Sequence, residues 1–86
     1  MTKFYIGIIT ERNGNLEYDS KFLFITEDDP EEYMETTAMK WRGSNENDYD
    51  INYEGYWSDQ TLITNGGCNE IPEEDFKILQ KYLVVL

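Results

Sequence analysis

Lys3 to Glu11 (K-F-Y-I-G-I-I-T-E) is β-branched and aromatic almost throughout, and a second such run extends from Leu16 to Thr26. Asn13-Gly14 lies between them, a dipeptide suited to the positive φ of a tight hairpin turn. The two runs read as a β-hairpin with two possible registers. A two-residue loop pairs Phe4 with Leu23 and Ile6 with Lys21; a three-residue loop with a bulge pairs Phe4 with Phe24 and Ile6 with Phe22. The second gathers more apolar area on one face and is the preferred expectation.

Beyond the hairpin the period changes from 2 to 3.6. Asp29 is placed to cap a helix with Pro30 at its first position and Glu32 at its third, a capping box in all but the identity of its first residue. Met34, Ala38 and Trp41 follow at i, i+4 and i+7, a narrow apolar stripe with Tyr33 at its margin. Lys40 and Arg42 suit the negative end of the helix and Gly43 the position after it, so the pattern predicts a helix from about Pro30 to Arg42.

After the polar link Gly43 to Asn47, Tyr49, Ile51 and Tyr53 alternate with Asp50, Asn52 and Glu54, the pattern of a half-buried strand. Gln60 to Thr64 reads as a short strand, joined through Tyr56-Trp57-Ser58-Asp59 and ended by Asn65-Gly66-Gly67 as a loop. Pro72-Glu73-Glu74-Asp75 opens a second helix with Phe76, Leu79 and Leu83 at i, i+3 and i+7, and with Ile78 and Tyr82 beside that face. Leu83-Val84-Val85-Leu86 either finishes this helix against the core or adds an edge strand. The expected order is ββαββα, an α+β domain in which an antiparallel sheet of about four strands carries both helices on one face, with Trp41 and Phe76 in one core.

Eighty-six residues make a single domain, 1–86, and a chain of this size buries only a little over ~60% of the surface its unfolded form exposes. Leu, Ile, Val and Phe total 20 of the 86 residues, above the ~20% level below which high charge means disorder. No segment approaches the ~18 consecutive apolar residues of a membrane span, and Met1-Thr2-Lys3 leads into alternating sequence instead of a signal-peptide block. Cys68 is the sole cysteine, which precludes an internal disulfide and fits a reducing compartment. The expectation is a soluble cytoplasmic protein.

Charge restricts the function classes further. With 18 Asp and Glu against 7 Lys and Arg, the net charge of −11 repels phosphate backbones and favours a basic partner, which it would steer towards itself. The chain has no histidine, which removes the commonest general base and metal ligand. Gly66-Gly67 lacks the following Lys or Arg of a phosphate-binding turn, and no cofactor motif is present. Cys68 has Glu70, Glu73, Glu74 and Asp75 nearby in sequence, which oppose thiolate formation. Asp48, Asp50 and Asn52 follow the spacing of a calcium loop, but Tyr53 stands where its turn needs glycine. An enzyme is not expected, nor a metal or cofactor.

Two acidic segments remain, E-D-D-P-E-E-Y-M-E and E-N-D-Y-D-I-N-Y-E. Helix-terminal electrostatics explains some of the first, at about 0.3–1 kcal/mol per well-placed acid, but Thr26 to Glu35 carries six carboxylates. On the strand reading, Asp48, Asp50 and Glu54 repeat on a wet face at about 6.6 Å or its double. Glu27, Asp28, Asp29, Glu31, Glu32, Glu35, Asp48, Asp50 and Glu54 are therefore candidate phosphate surrogates, with Tyr56 and Trp57 as candidate aromatic anchors. In size, charge and these two segments the chain resembles small acidic phage-encoded inhibitors of bacterial defence, the anti-CRISPR and anti-restriction nucleic-acid mimics. The resemblance implies a non-enzymatic inhibitor, acting in a host cytoplasm, that occupies a basic nucleic-acid-binding groove of a protein or complex without binding nucleic acid itself. The alternative is an acidic structural or accessory protein, monomeric or homodimeric through Tyr5 and Ile9 or through the L-V-V-L tail.

Overall fold

The computed structural model describes residues 2–86. It is an α+β domain with the element order β1 (Lys3–Asn13), β2 (Leu16–Thr26), α1 (Pro30–Lys40), β3 (Tyr49–Asp50), β4 (Gly55–Ser58), β5 (Thr61–Ile71) and α2 (Glu73–Leu79). The strands form one five-stranded antiparallel sheet in the order β2-β1-β5-β4-β3. There is one strand more than expected, and the central partner of β1 comes from the last third of the chain.

The hairpin register differs from both expectations. Asn13 pairs with Leu16, which sets Tyr5 opposite Phe24, Gly7 opposite Phe22 and Ile6 opposite Leu23. The loop is Gly14-Asn15, with Gly14 at φ +60, the positive angle a II′ turn requires of its first central residue. Glycine's tolerance of that angle outweighs the Asn-Gly signal one residue earlier.

This register makes the odd-numbered face of β1 the principal core. Tyr5, Ile9, Phe22, Phe24 and Ile63 are buried with Met34 and Ala38 of α1, and Tyr33, Trp41, Tyr56 and Cys68 pack around them. Tyr5 and Ile9 therefore lie under α1 and offer no dimer surface, contrary to the expectation for the hairpin. Gly7 lets the helix sit this close: a Cβ there would lie 2.7 Å from Met34 Sδ and 2.9 Å from Phe22 Cζ. Gly7→Ala is expected to cost roughly 1–3 kcal/mol by overpacking, read as a lower urea midpoint with an unchanged slope.

Phe4, Ile6 and Ile8 point to the opposite face. There Phe76 of α2 packs on Phe4 with ring centroids 4.9 Å apart, and Asp75, Ile78 and Leu79 surround Ile71. The helices thus cover opposite faces, and Trp41 and Phe76 belong to different cores. Pro72 follows Ile71 directly into α2, so no connection exists to carry that helix around the sheet. The helix ends at Leu79, leaving Ile78 and Tyr82 exposed. The tail neither finishes the helix nor adds a full edge strand: it makes one isolated parallel bridge on the outer side of β2, where Leu23 N donates to Val84 O and Leu86 N to Leu23 O, both at 2.9 Å.

Two loop assignments also change. Asn65-Gly66-Gly67 does not end a strand but forms a bulge inside β5, where the register with β1 shifts between Gly7 and Ile9 and Gly67 takes φ +94. The alternating segment from Tyr49 to Glu54 keeps only Tyr49–Asp50 as strand, and Ile51 to Glu54 turn back to β4. Asp48 accepts from Asn45 N, Asn45 from Asn47 N and Asp50 from Asn52 N, so these side chains hold the backbone in local turns. A complete capping box forms here, between Asn45 and Asp48, around a single 3-10 turn. At α1, Asp29 caps by accepting from Glu31 N.

Candidate acidic interface

β2 and β5 both run antiparallel to β1, so they end on the same side of the sheet, and each is followed by a helix. Both helix N-termini consequently lie at one pole, beside the start of β1. That pole gathers Glu27, Asp28, Asp29, Glu31 and Glu32 from the first acidic segment with Glu70, Glu73, Glu74 and Asp75 from the end of β5 and the first turn of α2. Lys3 pairs with Glu70 at 3.8 Å, and Thr2 Oγ1 donates to Glu27 at 3.0 Å, tying the start of β1 to both groups.

Magnitudes show what this arrangement leaves over. Each helix N-terminus is worth about half a positive charge, so the two offset about one carboxylate. Lys3 and Lys77, paired with Glu70 and Glu73, offset two more. Nine named carboxylates against roughly three positive charges leave a pole of about −6. Helix capping accounts for where the acids begin but not for their number. Glu70, Glu73, Glu74 and Asp75 entered the sequence reading as neighbours of Cys68 and, for Glu73 to Asp75, as the opening of a helix, not as part of an acidic surface. Their proximity to Glu27–Glu32 depends on β5 lying beside β1, which no local pattern reveals.

The other sequence candidates lie elsewhere. Glu35, one turn further along α1, accepts from Asn65 Nδ2 at 3.1 Å. Burial first, then the nearby charges of Glu35 and Tyr49, raise the Tyr56 pKa. Tyr56 is thus a half-buried packing residue, not a free anchor. Asp48, Asp50 and Glu54 sit near β3 at the opposite edge of the sheet from β2, four strand spacings or about 19 Å away. They do not repeat along a wet strand face. Asp48 and Asp50 hold turns, Asp50 also accepts from Trp57 Nε1 at 3.1 Å, and Glu54 has φ +53. Reversing all three would disturb the turn, contrary to what the strand reading implies. The residues exposed there are ones the alternation had half-buried, Ile51 at 78% and Tyr53 at 58%. Among the described residues, no three Asp, Glu or Cys side chains converge as metal ligands would.

Cys68 is half-buried, paired with Gly7 on the α1 face, and its Sγ lies 4.0 Å from Glu31 Oε1. Burial, then the carboxylates of Glu31 and Asp29, push its thiol pKa up, so the opposing charges come from α1 and not from the sequence neighbours Glu70 to Asp75. A raised folded pKa means the unfolded chain ionises first. The resulting stability is complete below the unfolded pKa and is lost as pH rises through the folded value. Alkylation of native Cys68 by iodoacetamide is expected to lag a denatured control at pH 8–9 and to approach it at higher pH; equal rates at pH 8 would contradict this placement.

Among the described residues no helix is long and apolar enough to cross a membrane. No protein-family model, curated protein or solved structure matches the chain.

Proposed function

We propose that the protein is a non-enzymatic inhibitor whose acidic pole occupies a basic, nucleic-acid-binding surface of a partner protein, in the manner of an anti-defence protein of a phage or mobile element acting in the host cytoplasm. The observation that carries this reading is the collection of nine carboxylates from two distant segments at one end of the sheet, beyond what two helix termini require. Glu27, Asp28, Glu32, Glu70 and Glu74 are the surrogates for phosphate charge in this reading, and the Asp48–Glu54 turn is a separate surface.

The test is binding to a panel of basic nucleic-acid-binding domains with and without saturating DNA or RNA. Association is expected to compete with nucleic acid and to weaken with salt. Asp28→Lys/Glu32→Lys/Glu74→Lys should lower affinity more than tenfold, while Glu17→Lys/Asp19→Lys/Glu46→Lys, equal in charge but away from the pole, should change it far less. A complex indifferent to saturating nucleic acid and to the pole reversal would overturn the proposal. An accessory role through self-association would instead draw on the exposed Ile51 and Tyr53. Its sign is a concentration-dependent dimer in sedimentation that Ile51→Ser/Tyr53→Ser abolishes.

A further inference from the structure

The geometry points to a seat for an arginine-bearing peptide segment in the groove along the outer flank of α1. This rests on the acidic-partner reading and narrows it to one place and one chemistry. The groove holds about 810 Å³ and runs between α1 and the tail, with Asp28, Glu32, Tyr33, Thr36, Lys40 and Trp41 along one side and Leu86 on the other. Leu86 is fixed there by its hydrogen bond to Leu23.

Charge is sorted along this groove. Asp28, Asp29 and Glu32 stand at the N-terminal end of α1, and Lys40 lies eight residues beyond Glu32, about 12 Å along the helix. Asp29 is committed to capping, whereas the Asp28 and Glu32 carboxylates have no hydrogen-bond or ion-pair partner among the described residues. Between the charged ends lie Tyr33, one ring face of which is stacked on Phe24 at 4.2 Å, and Thr36, while Trp41, whose indole N–H is already bound to Glu11, closes the Lys40 end.

An arginine matches each part of this surface. Its guanidinium can bridge the two open carboxylates and stack on an aromatic ring, and its methylene stem covers the apolar wall. An anionic ligand would meet three carboxylates at the same point, and an apolar one would desolvate them without a partner. The 12 Å between the acids and Lys40 spans about three to four extended residues, so the occupant is a short stretch of chain and not a single side chain. Lys40 then faces a carbonyl or carboxylate of the same stretch.

The experiment is an amide NMR titration of the whole protein at low salt with acetyl-Gly-Arg-Leu-Gly-amide and its Lys and Glu counterparts. The arginine peptide is expected to shift Asp28, Glu32, Tyr33, Thr36 and Thr37 selectively, to bind several-fold tighter than the lysine peptide, and the glutamate peptide to leave the spectrum unchanged. Asp28→Asn/Glu32→Gln should weaken arginine-peptide binding at least fivefold, and Glu74→Gln/Asp75→Asn, which removes the same charge from α2, less than twofold. Unchanged amide positions outside the groove separate lost binding from lost fold. Shifts spread over both helix N-termini, or equal weakening by the two double variants, would overturn the groove and leave the acidic-partner reading standing. No response to either cationic peptide would also overturn the groove, and the nucleic-acid competition experiment then decides the broader reading separately.

Discussion

Phe24→Ala is expected to lower the melting temperature by roughly 15–30 °C or to leave the protein unfolded at ambient temperature. Phe24 is fully buried and forms the middle of a three-ring stack, 5.1 Å from Tyr5 and 4.2 Å from Tyr33 by ring centroids, with interplanar angles of 12° and 6°. It therefore joins β1, β2 and α1 at one point. Truncation leaves a cavity worth about 3–5 kcal/mol, and the total stability of an 86-residue domain is only roughly 4–13 kcal/mol. Phe24→Leu, which refills most of the volume, should lose less than half as much. A circular-dichroism melt of Phe24→Ala within a few degrees of the parent would mean that α1 does not pack on this face.

The second large effect is expected at Glu11. This carboxylate is only 9% exposed, and it accepts from Trp41 Nε1 and from Arg42 Nε, each at 2.6 Å, so it fastens the C-terminal end of α1 to β1. Arg42 is half-exposed at 51%, so water can replace much of the ion pair when Glu11 is removed. The Trp41 indole is packed against the core and would lose its acceptor in a partly dry site. Glu11→Ala should therefore cost about 2–3 kcal/mol, Glu11→Gln about 1 kcal/mol because an acceptor oxygen remains, and Arg42→Ala least. A double-mutant cycle of Glu11→Ala with Trp41→Phe should show positive coupling; strict additivity would place the stabilisation elsewhere.

These two residues show where the sequence was readable. The apolar runs of β1 and β2, the Asp29-Pro30 start of α1 and Gly43 beyond its end, at φ +78, are local signals, and the elements form where they point. Phe24 was visible as core, but its neighbours were not, because register turned on which of two adjacent residues takes the positive φ at the hairpin. Glu11 stood in the sequence only as the end of the first apolar run, and its partner Trp41 lies 30 residues away. Tyr49 to Glu54 misled for a different reason: alternation describes how side chains divide between faces, but Asp48 and Asp50 bind nearby backbone N–H groups and turn the chain before a strand can extend. Gly66-Gly67 carries the same letters as a loop end and as a bulge, and only the strand beside it distinguishes them. The acidic pole was half legible, in Glu27 to Glu32; Glu70 to Asp75 join it through tertiary pairing alone.

The strand order also bears on how the chain reaches this structure. β1 lies between β2, which follows it at once, and β5, whose Glu70 pairs with Tyr5 across most of the sequence. The N-terminal hairpin can assemble early, but the other hydrogen-bonding edge of β1 stays open until nearly the whole chain is available. Pairings this distant carry a large loop-closure cost before they are rewarded, which places folding towards the millisecond-to-second range despite the small size. During synthesis, β1 waits for β5, with Ile6 and Ile8 uncovered in the interval, and the net negative charge keeps such half-finished chains apart by mutual repulsion.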